Sequence, residues 1–96
     1  MKLWVDDERP APEGWFWAKT SSAAMIMLGV TNGGDDKVSE VSLDHDLGGE
    51  DTTRQVVLWM ALSNIWPEKI YIHTANPVGR DWLVGMIERY GPGVST

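Results

Sequence analysis

The sequence predicts an α/β domain with a parallel sheet whose site lies at the carboxyl edge of the strands. Three stretches carry this reading. Val41-Ser42-Leu43 runs into Asp44-His45-Asp46, Leu3-Trp4-Val5 into Asp6-Asp7-Glu8-Arg9, and Ile70-Tyr71-Ile72 into His73-Thr74-Ala75-Asn76. Each is an apolar strand that ends in ionisable or polar side chains. Burying a charge costs several kcal/mol, on the order of the usual desolvation penalty, unless it is paired or liganded. Three strands that all finish this way point to a site at one edge of an open sheet.

The elements follow in order. Residues 2–6 form the first strand, short and apolar enough for the middle of a sheet. Pro10, Pro12 and Gly14 forbid an ordinary helix after it, so the connection is irregular. Trp15-Phe16-Trp17-Ala18 is an aromatic second strand. Thr20-Ser21-Ser22 offers hydroxyl caps for a short helix from Ala23 to Leu28, which Gly29 ends. The third strand is Val41–Leu43. The helix after it spans about Thr52 to Asn64, and its Val56, Val57, Leu58, Trp59, Met60 and Leu62 predict an element covered on most sides. Lys69 to Thr74 form the fourth strand. Asn76-Pro77 opens the last helix with a capping side chain and a proline at its first position. There Trp82, Leu83, Met86, Ile87 and Tyr90 share one apolar face, and Gly91-Pro92-Gly93 ends it. Helices joining strands two to three and three to four make those strands parallel through right-handed crossovers.

Composition narrows the function. The chain has 96 residues, no cysteine, six tryptophans and a net charge of −6 from 8 basic and 14 acidic residues. It is one domain over 1–96, without a disulfide framework or thiolate metal site. No basic stripe is present to neutralise a duplex, so duplex DNA is not the expected partner. No apolar run approaches the roughly 18 residues of a membrane span, and no signal peptide opens the chain. A soluble, cytoplasmic protein is the expectation. Arg9, Lys19, Arg54 and Arg80 could still converge on a small phosphorylated ligand. Of the tryptophans, Trp4, Trp59 and Trp82 are expected in the core, with Trp15 or Trp17 nearer the rim.

Three groups of residues could carry chemistry. Asp6, Asp7, Asp44 and Asp46 fall at the ends of strands that should be neighbours, where like charges raise a pKa or require a cation. Oxygen ligands select Mg²⁺, Mn²⁺ or Ca²⁺ over zinc. His45 and His73 are the only histidines, both at strand ends, and two imidazoles flanking one phosphate can act as general base and general acid on a cyclic phosphodiester. Asn76-Pro77-Val78-Gly79-Arg80 combines free N–H groups at a helix start with a guanidinium, an arrangement suited to anions.

These motifs resemble a known family. Val5-Asp6-Asp7-Glu8-Arg9-Pro10, Gly14-Trp15, Ser42-Leu43-Asp44-His45-Asp46-Leu47-Gly48 and His73-Thr74-Ala75-Asn76-Pro77-Val78-Gly79 are similar to the cyclic-phosphate-processing receiver-like domains, a divergent branch of response-regulator receivers. The resemblance spans nearly the whole chain. It implies a small three-layer, flavodoxin-like domain with a four-stranded parallel sheet, truncated relative to ordinary receivers. It also implies binding and hydrolysis of a cyclic-phosphate nucleotide or RNA end. On that reading Asp6, Asp7 and Asp44 hold Mg²⁺ or Mn²⁺. His73, His45 and Asp44 are the catalytic set, and Arg9, Thr74, Asn76, Gly79 and Arg80 bind the phosphate. Two departures bear on this: no stretch supplies a fifth strand with its lysine, and the proline loop replaces the first crossover helix. Phosphotransfer to Asp44 is therefore not expected, although Asp44 matches the phosphoacceptor position. Two alternatives remain. One is a non-catalytic module that binds or sequesters a cyclic nucleotide, of a kind found by analogy in phage. The other is a degenerate receiver serving protein interaction, with Arg9 paired internally.

Overall fold

The computed structural model describes residues 1–96. Strands β1 (Lys2–Val5), β2 (Trp15–Ala18), β3 (Glu40–Leu43) and β4 (Lys69–Ile72) and helices α1 (Ser21–Thr31), α2 (Arg54–Ser63) and α3 (Pro77–Tyr90) follow in the order β1-β2-α1-β3-α2-β4-α3. The strands form one fully parallel sheet in the order β2-β1-β3-β4. It is the expected α/β class, with β1 inside the sheet between β2 and β3.

The crossovers through α1 and α2 both move across the sheet in the same direction. Right-handed connections therefore place the two helices on one face. α3 joins them there, packing beside α2. Under this layer lies the core: Leu3, Val5, Val41, Leu43, Ile70 and Ile72 from the strands, closed by Ala24, Leu28, Val56, Val57, Met60, Leu83 and Ile87 from the helices. Strand residues alternate between faces, so Trp4, Ser42 and Tyr71, in register with one another, project to the other side.

That other side has no helix. The third layer is instead made of side chains and the 6–14 connection, because its prolines cannot continue a helix. Trp4 and Trp15 meet edge to face at 6.1 Å, and Trp15 meets Tyr71 at 6.5 Å. Two carbonyls of the connection are tied down by indoles: Trp4 Nε1 donates to Arg9 O at 2.9 Å and Trp17 Nε1 to Asp6 O at 2.7 Å. Trp4 thus packs in this aromatic layer, half-buried, and Trp59 and Trp82 flank the core half-buried.

Three element boundaries differ from expectation. α1 continues through Gly29 to Thr31, because Gly29 packs against the Trp59 ring and Thr31 Oγ1 donates back to Met27 O at 2.7 Å. The positive φ that ends such helices falls at Gly33 (+84°). α2 begins at Arg54, and Thr53 just before it donates from Oγ1 to Asp44 O at 2.6 Å, tying the helix start to the site. β4 stops at Ile72, leaving His73 and Thr74 in the connection. The apolar faces are also narrower than predicted: Tyr90, Leu58 and Leu62 lie exposed.

Candidate functional site

The carboxyl ends of β1, β3 and β4 surround an open pocket of about 330 Å³. Its lining is Asp6, Asp7, Glu8, Arg9, Asp44, Asp46, Gly48, Thr74, Ala75 and Asn76. Carboxylate oxygens of Asp6, Asp7 and Asp44 all come within 4.8 Å of one another. At that spacing like charges repel by on the order of 3 kcal/mol per pair in an effective dielectric of about 20. One guanidinium, Arg9, faces five carboxylates.

Asp6 is fully buried and held on every side. Its Oδ1 accepts the backbone N–H groups of Glu8 and Arg9, both at 2.9 Å, and Oδ2 faces His73 Nε2 at 3.0 Å and Arg9 Nε at 3.3 Å. Burial alone would raise its pKa, but the Arg9 and Glu8 amides and His73 together hold it below the ordinary value. Asp44 is engaged only at Oδ1, which accepts the His45 N–H at 2.8 Å. Asp7 makes no hydrogen bond or ion pair with its side chain, and its Oδ2 rests against Gly48. A Cβ there would lie 3.1 Å from that oxygen, and Gly48 also has φ +91°. Glycine at this position leaves room for the Asp7 carboxylate. A buried carboxylate, one engaged at a single oxygen and one not engaged at all, all oxygen donors, suit a hard divalent cation.

The histidines stand behind the pocket rather than in its wall. His73 lies flat on Trp4, ring centroids 3.7 Å apart and planes 9° from parallel. Its Nδ1 is 2.7 Å from Ser42 Oγ. Burial pushes its pKa below the usual imidazole value, more than Asp6 and Asp44 pull it up. The neutral ring then donates from Nε2 to Asp6 and accepts the Ser42 hydroxyl at Nδ1. His45 is buried, whereas His73 is half-buried. Arg54 Nε donates to its Nε2 at 2.9 Å, so Nδ1 carries the proton and donates to Asp46 Oδ1 at 3.1 Å. The Arg54 guanidinium in turn lies over the Trp82 ring. Both imidazoles have both nitrogens engaged.

The expected phosphate-binding residues divide. Arg9, Thr74 and Asn76 line the pocket; Gly79 and Arg80 do not. Arg80 Nη1 donates to Ile72 O at 3.1 Å, closing the end of β4. The Gly79 N–H is engaged with Asn76 Oδ1 at 3.0 Å, the cap of α3. Gly79 instead makes space: a Cβ on it would stand 2.3 Å from the His45 ring. Asn76 also donates from Nδ2 to Asp46 Oδ2 at 3.1 Å, and this bond, with His45, holds the Asp46 carboxyl below its ordinary pKa. Arg9 Nη2 donates to His73 O at 2.8 Å, which leaves Nη1 as its free end.

Sequence reasoning did not find Glu8 or Ala75 in the lining, nor Ser42 and Trp4 as the partners that fix His73. The one available signal was position. Trp4 and Ser42 lie opposite each other on neighbouring strands, on the face that His73 reaches from the end of β4.

A parallel sheet in the order β2-β1-β3-β4, with carboxylates gathered where β1 and β3 end, defines a receiver-type domain. A family model described as the cyclic-phosphate processing receiver domain matches residues 1–89, and the chain belongs to that family. Neither the comparison with curated proteins nor that with solved structures gave a match.

Proposed function

We propose that the pocket binds a divalent cation, Mg²⁺ or Mn²⁺, on Asp6, Asp7 and Asp44 and, through it, the cyclic phosphate of a nucleotide or RNA end, which it hydrolyses. The observation that carries this is the convergence of three carboxylates within 4.8 Å in a wall with a single guanidinium. A phosphate meeting that wall alone is repelled, so the anion needs a cation between it and the carboxylates. Bound there, the ion would polarise a phosphoryl oxygen and offset the negative charge. The Thr74 hydroxyl and Arg9 Nη1 orient the remaining phosphoryl oxygens, and Asp46 holds Asn76 in place. His73 acts through Asp6, fixing its rotamer as a half-buried partner behind a ligating carboxylate. In the reaction water adds to phosphorus, one ester P–O bond breaks, and a phosphomonoester and a free hydroxyl result.

A second reading, binding without turnover, is favoured by the histidines. Neither imidazole lines the pocket and neither has a free nitrogen, so neither histidine is placed to exchange a proton with a ligand there. One experiment separates the readings. The protein is incubated with 2′,3′-cyclic, 3′,5′-cyclic and cyclic-oligonucleotide phosphates, with Mn²⁺, with Mg²⁺ or with chelator, and binding and products are followed by chromatography. Metal-dependent product lost in Asp44→Asn establishes hydrolysis. Retention of unchanged ligand makes the domain a binder. No interaction with any member removes both readings and leaves the interaction-only receiver, which the internal pairing of Arg9 with Asp6 would fit.

A further inference from the structure

Asp6 has one side left for a cation, and the Arg9 side chain stands on it. A carboxylate accepts at about four lone-pair positions. Both on Oδ1 are taken by the backbone N–H groups of Glu8 and Arg9, each at 2.9 Å. On Oδ2 one is taken by His73 Nε2 at 3.0 Å, and the other faces Arg9 Nε at 3.3 Å. An ion shared by Asp6, Asp7 and Asp44 therefore has to displace one of four partners.

Three of them are held in place. The Arg9 backbone is pinned at its own carbonyl by Trp4 Nε1 at 2.9 Å, which steadies the turn that presents the two N–H groups. His73 lies flat on Trp4, and Ser42 Oγ is 2.7 Å from its Nδ1. The Arg9 side chain is the fourth partner, and it is the loose one. It is 55% exposed, so water can replace its contacts. Its 3.3 Å to Asp6 exceeds the roughly 2.7–2.9 Å of a charge-assisted hydrogen bond, so charge alone ties the two. A cation arriving at the same oxygen adds repulsion to that weak tie.

We propose, on the reading that the pocket takes a divalent cation, that Arg9 is the counter-ion this cation replaces on Asp6, and that the guanidinium so released becomes the anchor of the phosphate. Arg9 Nε and Nη2 belong to one planar fork, which spans Asp6 Oδ2 and the His73 carbonyl. The same fork matches two oxygens of a phosphoryl group. No other lysine or arginine lines the pocket, so the wall offers the anion no second basic side chain. Until the ion arrives, Arg9 offsets part of the carboxylate charge and is withheld from anions. Once it has arrived, phosphate meets both the ion and a free guanidinium. Each ligand favours the arrangement with Arg9 off Asp6, so each tightens the other.

Two measurements on the full chain test this. Free Mn²⁺ is counted by electron paramagnetic resonance in wild type and in Arg9→Gln, with circular dichroism to check the fold of the variant. Exchange of the Arg9 Nε proton with water is followed by nuclear magnetic resonance in the wild type, which decides the matter even if the variant does not fold. Arg9→Gln is expected to bind Mn²⁺ about tenfold tighter, the scale on which a neighbouring charge shifts a binding equilibrium. In the wild type, saturating Mg²⁺ should speed the Nε proton exchange at least about tenfold. Inorganic phosphate added to the Mg²⁺-loaded protein should slow it again. Proton exchange unchanged by Mg²⁺, or Mn²⁺ binding no tighter in a folded Arg9→Gln, overturns the replacement of Arg9 and leaves the cation site standing. Proton exchange that phosphate fails to slow overturns Arg9 as the anchor. Mn²⁺ bound by neither protein at roughly millimolar concentration removes the cation reading itself, and the role of Arg9 with it.

Discussion

Asp6 joins two networks, the carboxylate cluster in front and the His73–Ser42–Trp4 assembly behind. Its partner His73 titrates below the usual imidazole range because partial burial desolvates it. The sign of the consequence is fixed. Below about pH 6.5 the unfolded chain gains a proton on this residue that the folded chain resists, so stability falls as pH drops toward the folded-state pKa. Asp6, also depressed, adds a further loss once pH falls below its ordinary 3.8. Urea midpoints measured in chelator should therefore decline from pH 7.5 to 4.5, and His73→Gln should flatten the upper part of that decline. That these residues matter was legible in the sequence, since charge at the end of a buried strand demands a reason. Which way the imidazoles face was not. Their orientation is set by Ser42, Trp4 and Arg54, which only tertiary packing brings to them.

α3 contrasts two glycines within one helix. A Cβ on Gly79 meets the His45 ring at 2.3 Å, whereas one on Gly85 meets nothing within 4 Å. Gly79→Ala should destabilise the fold by about 1–3 kcal/mol, the usual cost of overpacking. Gly85→Ala should stabilise it by about 0.5–1 kcal/mol through lost backbone entropy. Chemical denaturation of the two variants beside the wild type checks both signs. Caps explain why α3 was placed well from sequence: Asn76, Pro77 and Gly91 bracket it as expected. α1 was cut short because Gly29 resembles a terminator, yet the helix runs through it to Thr31 and φ turns positive only at Gly33. Gly29 serves as the flat surface that Trp59 packs on. Similarly, the periodicity of α2 could not reveal that Leu58 and Leu62 lie outside the core, since its leucines read the same in sequence whether buried or exposed.

Across the whole molecule, crowded carboxylates make the unliganded domain less stable than its packing allows. A cation that binds only the folded chain adds stability with concentration, by about 2.7 kcal/mol at a hundredfold excess over its Kd. For a domain of this size that corresponds to a rise in Tm on the order of 10 °C. Mn²⁺ should produce such a shift in scanning calorimetry, and Asp44→Asn should abolish it. The parallel sheet with β1 inside it followed from sequence. What covers its second face did not, because no helical pattern marks a layer made of indoles and one proline-rich connection. That connection carries four residues of the pocket wall and is fastened from below by Trp4 and Trp17. Their indole protons are shielded by the carbonyls of Arg9 and Asp6 and exchange with solvent only when the connection lifts. A ligand that holds the wall closed must slow that lifting. Two protons that never touch the ligand would then keep time for the site, their exchange rates in deuterium recording how often it opens.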